Sequence, residues 1–235
     1  MHRYFTNEKN REIITLRGNT FHHIKNVIKL NIGDKIECVY EGRLFLTSIY
    51  EFHNDFLNVK ISEEVHIENK KHKIIAIVGI IREQKFDFLL QKLTEIGVDE
   101  IWPCQFIRSV VKINENNENK KLKRWGEIIK SAAEQSKQIK IPHLKKIIRN
   151  IKEIETIKAD IKIIAWEEEK NFSLKSLTKK INKVAFIVGP EGGIDKTEVD
   201  ELTKFGYIPI SLGDNILRAE TAAIYLLSIL NYLLS

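Results

Sequence analysis

Two glycine-containing loops carry the residues whose types and spacing best suit chemistry. The first, GPEGG at 189–193, directly follows the apolar run 184–188, and the second, 211–222, follows another predicted strand and opens a helix. Glycines permit positive φ and close backbone approach, so such loops can hold a ligand through main-chain groups. The spacing matches neither a Walker loop nor the GxGxxG of a dinucleotide site. We therefore expect one ligand crevice of another kind; for the first loop alone, a purely structural turn is the alternative.

The second loop also places an arginine and a glutamate, Arg218 and Glu220, at the start of its helix. A guanidinium can hold a carbonyl or phosphate oxygen bidentately, which suits the stabilisation of developing negative charge. A structural salt bridge or helix cap is the ordinary interpretation of the same pair. After the first loop, Asp195 is expected to cap a helix with Glu198 as its reciprocal partner, and Gly206 to end it.

These loops belong to a region in which predicted strands and helices alternate from residue 74 onward, which indicates an α/β fold. The expected strands are 74–81, 101–107, 161–166, 184–188 and 207–212. The expected helices are 86–96, 121–137, 196–205 and 219–234, and the asparagine-rich stretch 114–119 is expected to be a loop. The last helix is apolar nearly all round, which favours burial in a dimer interface.

Residues 1 to about 70 instead predict a small β-barrel, with strands at 35–39, 44–49 and 57–61 separated by turns. One helix interrupts them, capped by Asn19 or Thr20 and burying a face of Ile24, Val27 and Ile28. Lys25 and Lys29 would point outward and could meet phosphates. The polar stretch 63–73 is the expected link between the two domains.

The amino-acid composition limits the classes of protein to which this chain can belong. The 235 residues are 43% hydrophobic and 30% charged, so a packed core is expected rather than disorder. We find neither the apolar stretch of a signal peptide nor a run of roughly 20 apolar residues that would span a bilayer. Cys38 and Cys104 stand far apart without metal-ligand spacing, so a cytoplasmic location and no metal site are expected.

The formal net charge is +6, and residues 120–149 form its most basic segment. A solvated helix face and a phosphate-binding surface are both compatible with such a run.

The motifs GPEGGIDKTEVDEL and SLGDNILRAETAA resemble the SPOUT superfamily of RNA methyltransferases, specifically the bacterial small-subunit rRNA uridine-N3 methyltransferases. The resemblance extends to REQKFDFLLQKLTEIGVDEIWP, FIRSVVK and RWGEIIKSAAEQSKQIKIP, and more weakly to HHIKNVIKLNIGD, so it covers nearly the whole chain.

The resemblance implies a PUA-like RNA-binding β-barrel domain at 1–70 and a trefoil-knotted SPOUT methyltransferase domain at 73–235. It further implies a homodimer, S-adenosylmethionine as cofactor, and small-subunit ribosomal RNA or the assembled 30S subunit as partner. The expected cofactor residues are Ala165, Trp166, Glu167, Gly189, Pro190, Glu191, Gly192, Gly193, Ser211, Leu212, Gly213, Ile216, Leu217 and Ala222. The basic residues expected to bind RNA are Lys25, Lys29, Arg82, Lys85, Arg108, Lys112, Arg124 and Lys137.

Transfer to uridine N3 requires the imide proton to leave and the resulting anion to be stabilised. Arg218 is the expected cationic donor, and Glu220 either orients it or acts as the base. Two other functions stay open: a SPOUT methyltransferase that acts on a ribose 2′-hydroxyl or a guanine nitrogen, and a non-catalytic RNA-binding factor in ribosome assembly.

Overall fold

The computed structural model describes residues 1–68, 70–170 and 181–234. The chain divides into two compact units, Met1–Asn69 with Ala133–Lys140, and Lys70–Ala132 with Ile141–Ser235. The predicted domain ranges 1–70 and 73–235 did not anticipate that residues 133–140 belong to the first unit. Hydrogen bonds explain it, because the Phe5 amide donates to Glu134 Oε1 over 3.2 Å and the Arg3 guanidinium donates to the Gln138 carbonyl over 3.3 Å.

The first unit is built on a mixed six-stranded half-barrel in the order β1-β4-β5-β6-β3-β2. Its strands are β1 (Arg3–Phe5), β2 (Lys9–Asn10), β3 (Ile13–Arg17), β4 (Lys35–Tyr40), β5 (Arg43–Phe52) and β6 (Phe56–Val65). The three strands predicted from alternation are confirmed as β4, β5 and β6. The expected Glu41-Gly42 turn joins the first two, with φ values of 50° and 74° that suit a tight hairpin. The strand β6 extends into the predicted link, within which Asn69 lies outside the described residues.

The predicted helix of the first unit is a short α1 (Gly18–His22) continued by a π turn, His23–Ile28. It begins earlier than expected, and no side chain caps it, so the proposed cap at Asn19 or Thr20 is wrong. Ile24 is fully buried, but Val27 is 58% exposed. A π turn closes i→i+5 hydrogen bonds, which shifts the side chains away from the 3.6-residue period used in the prediction.

The second unit contains a six-stranded parallel sheet in the order β12-β10-β11-β7-β8-β9. The strands are β7 (Lys73–Gly79), β8 (Glu100–Cys104), β9 (His143–Leu144), β10 (Ile161–Ala165), β11 (Lys183–Val188) and β12 (Ile208–Ile210). The predicted α/β class is confirmed, and only the two-residue β9 had no predicted counterpart. The sheet is buried on both faces, which explains why its strands are continuous apolar runs.

Among the described residues, the helices α2 (Glu83–Ile96), α3 (Glu115–Gln135), α4 (Lys196–Lys204) and α5 (Ala219–Leu234) flank this sheet. One face packs against α2, α3 and α5, and the other against α4 and a 3₁₀ turn at Ile151–Thr156. The helix α3 begins six residues before its predicted start, so the expected loop at 114–119 is wrong. Asn114 precedes the helix, and its Oδ1 accepts the Asn117 amide over 3.1 Å, which is a helix cap. The sequence did not distinguish this cap from a turn, because asparagine favours both.

Part of the apolar surface of α5 is buried within its own chain. Ala222, Ala223, Leu226, Leu227 and Leu230 lie in the core, where the helix packs against α2 and β7. Tyr225, Tyr232 and Leu233 of the same helix are exposed, so its burial in a dimer interface stays a prediction. Within the described residues, no helix is both long and apolar enough to cross a membrane.

Candidate functional site

A cavity of about 700 Å³ opens in the second unit where β10, β11 and β12 end. Parallel sheets place ligands at this edge, outside the carboxyl ends of their strands, and the volume lies in the range of small-molecule sites. Both glycine loops line the cavity, together with the residues that follow β10. The expected convergence of the two loops on one crevice is therefore observed.

The first loop passes so close to its neighbours that glycine is required in two places. A Cβ at Gly79, the last residue of β7, would lie 2.7 Å from the Gly189 carbonyl carbon and 2.8 Å from Pro190 Cδ. A Cβ at Gly193 would overlap the Glu167 carboxylate, and Gly193 has φ of +72°. The backbone of this loop is therefore held against β7 and the end of β10, with main-chain atoms facing the cavity.

Gly192 is the one predicted cofactor residue that does not line the cavity. It faces the loop after β8, where its Cβ would lie 2.9 Å from the Arg108 carbonyl oxygen. Its small size thus serves the packing of one loop on another.

The helix α4 that follows is capped as predicted. Asp195 Oδ1 accepts the Thr197 amide over 3.0 Å, and Glu198 Oε2 accepts the Asp195 amide over 3.2 Å. Burial raises the pKa of the Glu198 carboxyl, and backbone hydrogen bonds offset part of that effect. Gly206 has φ of 85° beyond the helix end, as expected for a stop signal.

The second loop forms the opposite wall. Gly213 has φ of 118°, which an L side chain rarely adopts, so this turn also depends on glycine. Leu212 and Leu217 are partly buried against the core, whereas Ile216 is 88% exposed at the cavity. Trp166, which follows β10, has a buried indole Nε1 with no hydrogen-bond partner among the described residues. The cavity thus offers backbone groups, apolar side chains and one unused donor.

Of the two predicted catalytic residues, Arg218 lines the cavity and Glu220 does not, and they do not pair with each other among the described contacts. Glu220 Oε1 lies 3.5 Å from Lys85 Nζ, and its Oε2 is buried without a hydrogen-bond partner. Arg218 is exposed and lines the cavity. The orientation of Arg218 by Glu220, one of the two predicted roles, therefore has no supporting contact.

The other basic residues that we predicted to bind RNA differ in how far they are already used. Arg108 pairs with Asp195, Lys85 with Glu220, and Arg124 with Glu83 and Asp87. Lys112 donates to the Phe106 carbonyl over 2.8 Å. Arg82 lines the cavity. Ion pairs with neighbouring carboxylates reduce the positive charge that these side chains offer to phosphates.

In the first unit, Lys25 lies over the Phe21 ring and Lys29 adopts φ of 59° just after the π turn. Lys137 contacts Glu37 over 3.3 Å and the carbonyl of Met1, so it ties the 133–140 segment to the half-barrel. Glu134 of the same motif accepts the Phe5 amide, which is a structural contact.

Several residues that line the cavity had no role in the sequence interpretation: Val110, Val188, Ile194, Asp214, Asn215 and Ala219. Asp214, Asn215 and Ala219 lie within the predicted loop at 211–222, and Val188 and Ile194 flank the predicted loop at 189–193. Val110 comes from the distant loop after β8, and only the fold brings it here. Within the described residues, no group of three or more His, Cys, Asp or Glu side chains is arranged to hold a metal ion.

Comparison with known proteins supports a common origin for the whole chain. A family model described as an RNA methyltransferase domain matches residues 68–231, and one described as an RNA methyltransferase PUA domain matches residues 16–61. Ribosomal RNA small subunit methyltransferase E of Mesomycoplasma hyopneumoniae is 35% identical over 97% of this chain and 98% of its own length. Its namesake in Bacillus subtilis is 32% identical over 99% of this chain and 96% of its own length.

The fold is also found in solved structures. A crystal structure of a ribosomal RNA small subunit methyltransferase E from Neisseria gonorrhoeae, bound to S-adenosyl methionine, has a TM-score of 0.89 to this chain. The two are 26% identical, and the match covers 99% of this chain and 98% of that one.

Proposed function

Because this chain belongs to the RNA methyltransferase family that includes ribosomal RNA small subunit methyltransferase E, we propose that it methylates small-subunit ribosomal RNA. The methyl group comes from S-adenosylmethionine and its acceptor is N3 of a specific uridine. The observation that carries this proposal is the composition of one cavity. Its glycine loops face an exposed guanidinium, Arg218, which lines the cavity. Glu220 does not line the cavity but follows two residues later, and one of its carboxylate oxygens is buried without a described partner.

The cavity residues fit the cofactor. S-adenosylmethionine combines a flat apolar base with hydroxyls, an amine and a carboxylate, so it needs apolar walls and backbone hydrogen-bonding groups. Leu212, Leu217 and Ala165 supply apolar walls, and the close-packed loop at 189–193 supplies main-chain groups. The buried Trp166 Nε1 is a donor that an acceptor atom of the ligand would satisfy, since an unpaired buried donor is costly. When bound, the cofactor supplies a methyl group activated by its sulfonium.

Arg218 stabilises the anion that uridine becomes when it loses its N3 proton. The imide anion places negative charge on O2 and O4, and a guanidinium can hold such an oxygen with two parallel N–H donors. Arg218 is exposed at the cavity and makes no described ion pair, so its donors are available.

Glu220 accepts the N3 proton. Its Oε2 is buried and unpaired, while Lys85 contacts the other oxygen and holds the carboxylate in place. Glu220 stands beside Arg218 at the start of α5 rather than in the cavity lining, so this role requires its carboxylate to turn toward the substrate when RNA binds. The N–H bond breaks toward Glu220, the N3 to methyl bond forms, and the sulfur to methyl bond breaks.

The fold, oligomeric state, location and RNA contacts that we propose are those that membership of the family implies. The second domain forms a trefoil knot, the protein acts as a homodimer in the cytoplasm, and the predicted basic residues contact phosphates of the RNA or of the assembled subunit. Lys25, Lys29 and Arg82 are the best placed of these because none of their side chains forms a described ion pair, although the Arg82 amide donates to Glu191 Oε1. The division into domains at about residue 70 follows the two family models, which end and begin at 61 and 68.

The test uses tritiated S-adenosylmethionine and small ribosomal subunits from cells that lack the enzyme. We expect label in small-subunit RNA with the wild-type protein. Arg218→Ala should lower transfer by roughly 10²- to 10³-fold, the usual effect of removing an oxyanion donor, with cofactor affinity within a few-fold of wild type. Arg43→Ala, which removes an exposed arginine of the first unit paired with Glu64, is the control and should stay active.

Near-normal turnover by Arg218→Ala would refute its role. Bound cofactor without any label transfer by the wild type would instead favour the non-catalytic assembly factor.

A further inference from the structure

The two acidic residues at the start of α4 reach beyond their own helix. Asp195 caps the helix through Oδ1 and pairs with the Arg108 guanidinium through Oδ2 over 3.0 Å. Glu198 accepts the Asp195 amide through Oε2 and the Ile107 amide through Oε1 over 2.9 Å. A capping box needs only the first contact of each residue. The second contact of each goes to the loop at 106–112, between β8 and α3.

Glu198 is buried, so its hydrogen bond with the Ile107 amide affects whether its carboxylate can stay charged. The residue is 6% exposed, and a carboxylate removed from water must have its oxygens satisfied. Each oxygen accepts one backbone amide, so the loop amide of Ile107 is part of what allows the charge to be buried. The position of the loop and the ionised state of Glu198 therefore depend on each other.

The loop has little else to hold its tip. Ile107 is 63% exposed and Val110 is 68% exposed, so these two side chains do not anchor the loop, although Phe106 is buried and Val111 packs against the core. Lys112 only ties the loop to itself, through the Phe106 carbonyl. Yet Val110 lines the cavity, and the Arg108 carbonyl lies against Gly192 of the glycine loop. The carboxylates of α4 are thus the main polar contacts that present Arg108 and Val110 at the cavity mouth.

We propose that Asp195 and Glu198 are positioning residues for RNA. They hold the 106–112 loop so that Val110 offers an apolar surface to a nucleobase and Arg108 offers a cation to a neighbouring phosphate. Unstacked nucleobases have apolar faces and flanking anionic groups, which is the chemistry that this pair of side chains fits. This inference rests on the proposed function, because it concerns the substrate of the same site.

The test compares Glu198→Gln with a matched control, Glu153→Gln. Glutamine keeps one acceptor oxygen, but an NH2 group replaces the other. That NH2 group would face a backbone N–H, so one of the two hydrogen bonds of Glu198 is lost. Glu153 completes a similar capping box at the 3₁₀ turn, with Asn150, and does not contact the 106–112 loop in the described hydrogen bonds. Asp195→Asn is a second variant that keeps the Thr197 cap and removes the charge facing Arg108.

We expect Glu198→Gln to raise KM for small-subunit RNA by ~3- to 10-fold, the effect of one lost hydrogen bond. The dissociation constant for S-adenosylmethionine should change less than twofold, and kcat should change little. Hydrogen exchange of the Ile107 amide should accelerate in Glu198→Gln and not in Glu153→Gln. Asp195→Asn should raise KM for RNA in the same direction.

Equal KM values for Glu198→Gln and Glu153→Gln would overturn the inference, as would a loss of cofactor affinity that matches the loss for RNA. Failure of the proposed function has a different signature, since the wild-type protein itself would then transfer no label. Hydrogen exchange reports on the loop in that case as well.

Discussion

At the level of single residues, the positive charge of Arg218 and the negative charge of Glu220 are not paired with each other among the described contacts. Arg218 is exposed and makes no described ion pair, whereas Glu220 is half shielded by Lys85 and keeps one oxygen unused. A direct Arg218–Glu220 pair would have neutralised both groups. Their separation leaves the Arg218 donors free at the cavity and one Glu220 oxygen unpaired beside it, which are the two groups that the proposed reaction needs.

Glu220→Gln should keep the size of the side chain while removing the base. We expect kcat to fall by roughly 10²-fold, at the lower end of the range for general bases, with little change in S-adenosylmethionine binding. Glu115→Gln, on an exposed position of α3, is the control. Single-turnover transfer measured at saturating cofactor makes the comparison, and a Glu220→Gln rate above a third of wild type would exclude Glu220 as the base.

Gly79→Ala should destabilise the protein, because its Cβ would enter the backbone of Gly189 and Pro190. Overpacking of this kind costs about 1–3 kcal/mol. Gly126→Ala is the matched variant, since Gly126 lies inside α3 with open space around it, and there alanine should stabilise by roughly 0.5–1 kcal/mol. Urea unfolding measures both. Equal effects of the two substitutions would show that the approach of the glycine loop to β7 is looser than described.

The residue types at the cavity were readable from the sequence, but their partners were not. The two glycine loops and Arg218 stood out by composition and position after strands. The reason for Gly192 lies in its contact with Arg108, and the reason for Gly79 in its contact with Pro190, more than 80 and 100 residues away along the chain. Such constraints arise only when distant loops are folded against each other.

At the scale of secondary structure, apolar periodicity predicted the long elements and failed at the short or irregular ones. The helix α5 and the strand β11 are found where they were expected. The strands β2 and β9 have two residues each, too few to show a period, and the π turn at His23–Ile28 departs from the period assumed. The start of α3 was missed because asparagine favours turns as well as helix caps.

The segment 133–140 shows how charge joins elements within the first unit. Glu37 on β4 accepts from Arg3 Nε over 2.8 Å and contacts Lys137 over 3.3 Å, while its carboxylate is only 17% exposed. Burial alone would raise the pKa of Glu37, but the hydrogen bonds and charges of Arg3 and Lys137 outweigh it and lower the pKa.

Glu37→Gln should therefore cost about 2 kcal/mol of stability at pH 7, within the range for a hydrogen bond to a charged group. A lowered pKa in the folded state means that this contribution is present above the usual glutamate pKa of 4.5 and is lost as the pH falls below it. The difference in free energy of unfolding between wild type and Glu37→Gln should shrink over that range in urea titrations. A difference that stays constant down to pH 3 would contradict the ion pair.

At the scale of the whole molecule, the sequence predicted an α/β fold preceded by a smaller β unit, and both are observed. The boundary was less predictable, because residues 133–140 belong by sequence to the end of a helix of the second unit and by contacts to the first. Nothing in the local pattern signals that residues 133–140 belong to the first unit, because this depends on hydrogen bonds from Phe5 to Glu134 and from Arg3 to Gln138, more than 100 residues apart.

Nucleoside analysis of the labelled RNA shows whether the enzyme methylates uridine N3. Small subunits from cells that lack the enzyme are labelled with tritiated S-adenosylmethionine, and their RNA is digested to nucleosides and separated. We expect tritium in 3-methyluridine. Tritium in a 2′-O-methylated nucleoside or a methylated guanine would contradict the proposed role of Glu220 as the base for the N3 proton, and would place the chemistry on another RNA atom.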